Sequence, residues 1–161
     1  MNKRAKKKSM SQNSQKIMRT RSYQTNRSKN ESESHFLVMP VLIASDAHGQ
    51  MVKKSTADLL THNGFDVFDM GVVDETNSHI VGSLIHNNPA WTAVIFCKNP
   101  NCLSMTLNND HTNVRSVVAT SNTQDLTQAK RNHKANILCV SSTIIAPIQC
   151  VGSLVNDFVL V

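Results

Sequence analysis

The sequence predicts an α/β domain in three layers, with a Rossmann-like sheet of five parallel strands between two layers of helices. Strand-like and helix-like segments alternate five times between residues 35 and 161, a pattern typical of parallel sheets covered on both faces. The first strand-like segment is apolar at almost every position, as expected when both faces of a strand are buried. A domain of this length has room for one hydrophobic core.

The first half of this domain contains three predicted strands and two helices. The first strand covers Phe36–Ala44, with Pro40 at its start or edge because proline cannot donate a hydrogen bond to a neighbouring strand. Ser45–Gly49 then turns the chain into a helix over Gln50–Asn63, and Gly64 suits the position just past the end of that helix. The elements that follow are the strand Phe65–Met70, a helix from about Ser78 to Asn88 and the strand Ala93–Cys97.

The second half completes the sheet with two further strands. The predicted elements are a short helical start at Leu103–Asn109, a strand at Val114–Ala119, a helix at Thr123–Asn132 and a strand at Asn136–Val140. Pro147 suits the first turn of a final helix.

The first and last helices are amphipathic, so each should turn one side to the core. In the first helix the predicted inner side contains Val52, Thr56, Leu59 and Leu60, and the polar side contains Lys53, Lys54 and Asp58. In the last helix the predicted buried stripe contains Cys150, Val151, Leu154 and Phe158.

Residues 1–34 are predicted to form a separate basic tail. Residues 1–30 carry ten Lys or Arg and no acidic residue, whereas residues 31–161 carry seven basic and eleven acidic residues, a net charge of −4. The tail has too few apolar residues to fold alone. It is a solvated extension, an organellar transit peptide, or an arm that binds RNA or directs nuclear import. The predicted compartment is the cytoplasm, or a mitochondrion or another organelle if the tail is a transit peptide.

Composition excludes several other classes of protein. No apolar run approaches the roughly 18 residues of a membrane-spanning helix, and the N-terminus lacks the apolar core of a secretory signal, so no membrane contact is predicted. The cysteines at positions 97, 102, 139 and 150 lie in or beside apolar segments, which predicts reduced, mostly buried thiols in an intracellular protein. Cys97 and Cys102 lack a second pair at zinc-binding spacing, so no metal site is predicted.

Cys97 occupies the position at which chemistry is expected in such a fold. It ends the buried strand AVIFC at residues 93–97, and ligands of open parallel sheets bind just past the carboxyl ends of the strands. A thiol acts as a base only when amides, a helix N-terminus or a cation lower its pKa, and Lys98 is an adjacent cation. The alternative is that Cys97 is a small apolar residue at a strand end.

The order of several motifs resembles the type B ribose-5-phosphate isomerase family, which includes the galactose-6-phosphate isomerase subunits. SDAHG at residues 45–49 is similar to the family's Ser-Asp-His-Ala-Gly turn, and FDVFDMG at 65–71 is similar to its Tyr-Glu-Val-Ile-Asp-Phe-Gly strand. AVIFC resembles the strand that ends in the family's catalytic Cys. VRSVVA at 114–119 and NHKANILCV at 132–140 resemble the family's Ile-Arg-Ala-Ala-Leu and His-Asn-Asp-Ala-Asn-Val-Leu segments. The similarity covers about residues 38–160.

This resemblance implies an aldose–ketose isomerase of a phosphorylated sugar in pentose phosphate or related carbohydrate metabolism, working as a homodimer without metal or cofactor. It implies that Cys97 removes the proton next to the carbonyl, and that His133 corresponds to a His supplied by the partner subunit. Amides of the loop after Cys97 hold the enediolate oxygen, an Asp-His pair assists ring opening, and Arg residues bind the phosphate. The substrate-binding positions implied in this way are Asp46, His48, Lys98, Asn99, Ser104, Asn108, Arg115 and Asn132.

The chain departs from the family's pattern at several of these positions. The family's Gly-Thr-Gly-x-Gly loop is replaced by KNPNC at residues 98–102, and the His of the first motif moves one place to His48. The later motif reads Asn132-His133 in place of His-Asn, and Arg115 and Arg131 are the only arginines between residues 35 and 161.

Three interpretations of function therefore stay open. The first is a divergent isomerase that acts through Cys97, with activity retained, reduced or lost. The second is a catalytically inactive relative, a pseudoenzyme whose sheet serves binding and whose basic tail contacts RNA or an organellar assembly. The third is a derivative that keeps the fold without a function.

Overall fold

The computed structural model describes residues 40–120, 123–143 and 148–161, and there the predicted alternation of strands and helices is confirmed. The elements are β1 (Pro40–Ser45), α1 (Gln50–His62), β2 (Asp66–Val72), α2 (Ser78–Asn87), β3 (Thr92–Cys97), α3 (Pro100–Asp110), β4 (Ser116–Val118), α4 (Thr123–His133), β5 (Ile137–Ser141) and α5 (Ile148–Leu160). The basic tail, its boundary at residue 35, the first four residues of the first predicted strand and Pro147 lie outside the described residues.

The five strands form one parallel sheet in the order β2-β1-β3-β5-β4. Side chains of the three central strands alternate between two cores, as their continuous apolar sequences predict. In β1, Val41 and Ile43 join the core that also contains side chains of α1, α4 and α5. Leu42 and Ala44 join the core on the other face, which α2 and α3 cover. The predicted three layers follow from this alternation.

The edge strand β4 is shorter than predicted, with three residues instead of six. The side chain of Asn108 hydrogen bonds to its open edge. The side-chain oxygen of Asn108 accepts the N–H of Ser116 at 2.6 Å, and the side-chain nitrogen donates to the carbonyl of Ser116 at 3.0 Å. Before the strand, the N–H of Arg115 donates to the side chain of Asn136 rather than to a neighbouring strand. These side-chain hydrogen bonds supplement the short ladder between β4 and β5 at this edge of the sheet.

Two residues were assigned to the wrong side of a helix. Lys53 was expected on the polar side of α1, yet it is 4 % exposed, because its ammonium donates to Asp69 at 2.6 Å on the neighbouring strand β2. Cys150 was expected in the buried stripe of α5 but is exposed, since that stripe runs through Val151, Val155 and Phe158 and Cys150 lies one residue off it.

The cysteines are less buried than predicted. Cys97 and Cys139 lie in the core, whereas Cys102 and Cys150 are exposed. On α3 the buried positions are Leu103, Ser104 and Leu107, which leaves Cys102 on the outer side. All four are free thiols in the structure. Among the described residues, no helix combines the length and the apolar character needed to cross a membrane.

Candidate active site at the carboxyl ends of β1 and β3

The chain changes direction across the sheet between β1 and β3. From β1 it continues to β2 at one edge, and from β3 it continues towards β5 and β4 at the other. In open α/β sheets ligands bind outside the carboxyl ends of the strands at such a point. A cavity of about 260 Å³ lies there, lined by Asp46, Asp74, Glu75, Thr76, Cys97, Lys98, Asn99 and Leu103.

Asp46 connects the ends of the two strands through its carboxylate. Oδ1 accepts the backbone N–H groups of His48 at 2.9 Å and Gly49 at 2.8 Å, which shapes the turn into α1. Oδ2 accepts the N–H of Lys98 at 2.6 Å, across 52 residues of sequence. The N–H of Asp46 also donates to the carbonyl of Phe96 at 2.8 Å. Asp46 therefore positions the loop that follows Cys97.

Gly49 allows α1 to begin directly against β3. A Cβ atom at this position would lie 2.8 Å from the Cβ of Phe96 and 3.0 Å from the Cβ of Ser45. These distances are shorter than van der Waals contact between carbon atoms. The last residue of the SDAHG motif is therefore required by close packing next to the cavity.

The thiol of Cys97 lines the cavity but is only 6 % exposed as a residue. Burial, together with the smaller effects of the nearby Cys139, Asp46 and Glu75, raises the pKa of Cys97 to about 12. The backbone N–H of Asn99 has the opposite, smaller effect and lowers the pKa of Cys97. At neutral pH, Cys97 is a protonated thiol in this structure rather than the thiolate that a base requires.

The loop after Cys97 is two residues long. Lys98 and Asn99 form it, and α3 begins at Pro100, three residues earlier than predicted, because proline suits the first helical position. The N–H of Lys98 is occupied by Asp46 and Pro100 has no N–H. Asn99 lines the cavity, so its N–H is the remaining candidate donor of this two-residue loop.

Three residues that line the cavity were missed in the sequence: Asp74, Glu75 and Thr76. They follow β2, so the rule that points to residues past the strand ends would have found them. Hydrogen bonds from the hydroxyl and backbone N–H of Thr76 lower the pKa of Asp74. The lining is predominantly acidic: its carboxylates are Asp46, Asp74 and Glu75, and its one cationic residue is Lys98.

Two of the predicted substrate-binding residues on α3 support the sheet instead of lining this cavity. The hydroxyl of Ser104 is buried and donates to the carbonyl of Ser116 at 3.1 Å, and the hydroxyl of Ser116 approaches the sulfur of Cys139 at 3.3 Å. Asn108 pairs with Ser116 in β4 as described above.

The remaining predicted residues are divided between the turn after β1 and the opposite edge of the sheet. His48 is exposed, with its Nδ1 4.0 Å from Asp46. Arg115 precedes β4, and Asn132 and His133 end α4 before β5. They lie at the amino ends of the strands, whereas Cys97 lies at a carboxyl end. A strand of five or six residues separates the two edges by roughly 17–20 Å, so one chain does not bring His133 to Cys97.

A family model described as Ribose/Galactose Isomerase matches residues 41–159. The chain belongs to this family. The family assignment from the sequence motifs is thereby confirmed. No curated protein sequence matches the chain.

Solved structures of the same family have the same fold. Ribose 5-phosphate isomerase B from Anaplasma phagocytophilum is 26 % identical with a TM-score of 0.66, and the match covers 76 % of this chain and 86 % of that one. The Giardia lamblia ribose-5-phosphate isomerase B is 19 % identical with a TM-score of 0.67, covering 74 % and 93 %. The Thermotoga maritima enzyme is 22 % identical with a TM-score of 0.65, covering 74 % and 85 %.

Proposed function

We propose that this chain is a divergent aldose–ketose isomerase of a phosphorylated sugar, with Cys97 as the proton-abstracting base. The observation that carries the proposal is the thiol at the carboxyl end of β3, which lines a cavity beside the switch point of the sheet. Chemistry in this architecture is expected at that place.

In the proposed reaction, the Cys97 thiolate takes a proton from the carbon next to the sugar carbonyl. The electrons of the broken C–H bond form the enediolate, and a proton passes from the hydroxyl of the deprotonated carbon to the former carbonyl oxygen. The thiol then returns its proton to the former carbonyl carbon, which regenerates the thiolate and leaves the new carbonyl on the neighbouring carbon. Asp46 is a positioning residue, because it holds the N–H of Lys98 and thereby the loop. The N–H of Asn99, which lines the cavity, is the proposed donor that stabilises negative charge.

The proposed activity is low. With a pKa of about 12, about 10⁻⁵ of Cys97 is thiolate at pH 7. Losing one oxyanion donor alone typically reduces the rate on the order of 10²–10³. The carboxylates of Asp46, Asp74 and Glu75 also line the cavity, and they repel a phosphate dianion.

A homodimer is part of this proposal. Arg115, Asn132 and His133 lie at the opposite edge of the sheet, so they reach the Cys97 cavity only if a second copy of the chain supplies them. Light scattering tests this part directly. A monomer at all concentrations would remove His133 from the catalytic residues and leave Cys97 as the proposed base.

The test of the isomerase proposal compares the wild type with Cys97→Ala and Cys102→Ala. Cys102 is the matched control, since it is an exposed cysteine on the adjacent helix. Ribose 5-phosphate and hexose phosphates are incubated in D₂O, and NMR follows ketose formation and deuterium incorporation next to the carbonyl. We expect slow turnover in the wild type and Cys102→Ala, and none in Cys97→Ala. Equal rates in wild type and Cys97→Ala would reject the proposal.

The acidic lining and the buried thiol favour a second candidate, a catalytically inactive binding protein. Here the domain would have no turnover, and residues 1–34, with their ten basic side chains, would contact RNA or an organellar assembly. The test measures RNA binding of the full chain and of a variant lacking residues 1–34 over a range of salt. An arm that binds phosphates loses affinity steeply as salt rises. A mature N-terminus near Ser34 in the cellular protein would instead identify the tail as a transit peptide.

A further inference from the structure

A second cavity, of about 560 Å³, lies at the amino-terminal edge of the sheet, and we call it the amino-edge cavity. Segments before β3, β4 and β5 surround it, together with the end of α4. The lining residues are Pro89, Ala90, Trp91, Thr92, Thr112, Asn113, Arg115, Lys130, His133, Lys134, Ala135 and Asn136. Among them are four basic side chains and no Asp or Glu.

Lys130 is the central cation of this cavity. Its ammonium donates to the hydroxyl of Thr92 at 2.8 Å and lies 4.7 Å from the centre of the Phe158 ring. Among the described residues, the carboxylates that lie within 4.0 Å of a basic side chain are Asp46, beside His48, and Asp69, beside Lys53, so no carboxylate there neutralises Lys130. Burial lowers the pKa of Lys130 to about 8. An unpaired, largely buried ammonium gains more from an incoming anion than an exposed one does.

Lys134 adds a second, independent observation. Its φ of +54° makes it the one non-glycine residue with positive φ in the described part of the chain. It directly follows α4, at the position where helices usually carry glycine because a side chain is strained there. A lysine at this position places a cation at the cavity at the expense of backbone strain, and strain of this kind is concentrated at functional sites.

We propose that the amino-edge cavity binds the phosphate group of a small phosphorylated molecule, with Lys130, Lys134 and Arg115 as its ligands. The guanidinium of Arg115 is held at the rim by hydrogen bonds from Nη1 to the carbonyls of Thr112 and Val114. The cavity is far larger than a phosphate ion, so the rest of the molecule lies beside Trp91 and Ala90. Within one chain this site lies at the edge of the sheet opposite the Cys97 cavity, and phosphate binding there does not require isomerase turnover. In the proposed homodimer the same edge faces the Cys97 cavity of the second copy.

Trp91 provides the measurement, because it is the chain's one tryptophan and it lines the cavity. Inorganic phosphate and pyrophosphate are titrated at constant ionic strength, with KCl as the balancing salt, while Trp91 fluorescence is followed. The variants are Lys130→Met, Lys134→Gly and Cys97→Ala. The matched control is Lys54→Met, an exposed lysine on α1.

We expect a saturable change of Trp91 fluorescence in the wild type, in Lys54→Met and in Cys97→Ala. Lys130→Met should bind the two phosphate probes at least about tenfold more weakly. Lys134→Gly should bind more weakly and also melt about 2–4 °C higher, because glycine relieves the strain. The inference is overturned if KCl alone reproduces the fluorescence change, or if wild type and Lys130→Met bind phosphate and pyrophosphate with equal affinity. It is also overturned if Trp91 fluorescence responds to a short RNA but to neither phosphate nor pyrophosphate. If Lys130→Met does not fold, unchanged binding in Lys134→Gly overturns it.

Discussion

Removal of the Asp46 carboxylate should destabilise the domain more than any other change of an exposed or half-buried side chain at the switch point. In Asp46→Ala, the N–H groups of His48, Gly49 and Lys98 lose their acceptor. Hydrogen bonds to charged groups contribute about 1.5–3 kcal/mol each, but water replaces the acceptor at exposed groups. Because the bonds to His48 and Lys98 are exposed and the one to Gly49 is half-buried, we expect a loss of about 2–3 kcal/mol.

The conservative variant sharpens this prediction. Asp46→Asn keeps one oxygen for His48 and Gly49, but it turns an NH₂ group towards the N–H of Lys98, so the expected loss is about 1 kcal/mol. Urea unfolding followed by circular dichroism measures both variants. Asp58→Ala, an exposed acidic position on α1, is the control and should stay within about 0.5 kcal/mol of the wild type. A loss below about 0.5 kcal/mol in Asp46→Ala, or equal losses in both Asp46 variants, would refute the role assigned to the carboxylate.

Three further predictions concern the two cavities. Gly49→Ala should cost about 1–3 kcal/mol in urea unfolding, because the new Cβ would lie 2.8 Å from Phe96; a neutral effect would contradict the close packing. With iodoacetamide at pH 8, mass spectrometry should find Cys102 alkylated first, and the rate at Cys97 should rise about tenfold per pH unit because its pKa is about 12; equal rates would be inconsistent with a buried thiol. From pH 8 to 10.5 the free energy of unfolding of the wild type should rise by up to about 3 kcal/mol relative to that of Lys130→Met. A difference in stability that stays constant over this range would exclude the lowered pKa of Lys130.

The sign of the Lys130 prediction follows from proton linkage. The folded protein releases the Lys130 proton near pH 8 and the unfolded chain near pH 10.5. Between these values the unfolded state binds more protons, so the stability of the wild type rises with pH. Comparison with Lys130→Met is required, because Cys97 and Cys139 have raised pKa values and lower the stability of both proteins over the same range.

The elements of the fold were predictable because their signals are local. The apolar run of β1 and the glycine after α1 each belong to a few consecutive residues. Gly64, with φ of +87°, closes α1 as predicted, since glycine adopts this conformation without strain. The strand end at Cys97 was located for the same reason.

The candidate site was predictable only in part. Asp46, Cys97, Lys98 and Asn99 line one cavity, because each follows or ends a strand at the switch point. Ser104 and Asn108 were assigned from family motifs alone, and on α3 they hydrogen bond to Ser116 in the edge strand. A helix spacing indicates which residues share a face, but not which neighbour that face contacts.

The sequence by itself determined that this chain is a doubly covered parallel sheet of the Ribose/Galactose Isomerase family with a cysteine at a strand end, since strand periodicity and motif order are properties of consecutive residues. The tertiary structure decided which edge of the sheet each candidate side chain occupies, and how buried it is. It places Asp74 and Glu75 in the same cavity as Cys97 and His133 at the opposite edge. It also leaves Lys130 without a carboxylate partner among the described residues. Burial and charge pairing are set by residues distant in sequence, and these decide whether the Cys97 thiol can act as a base.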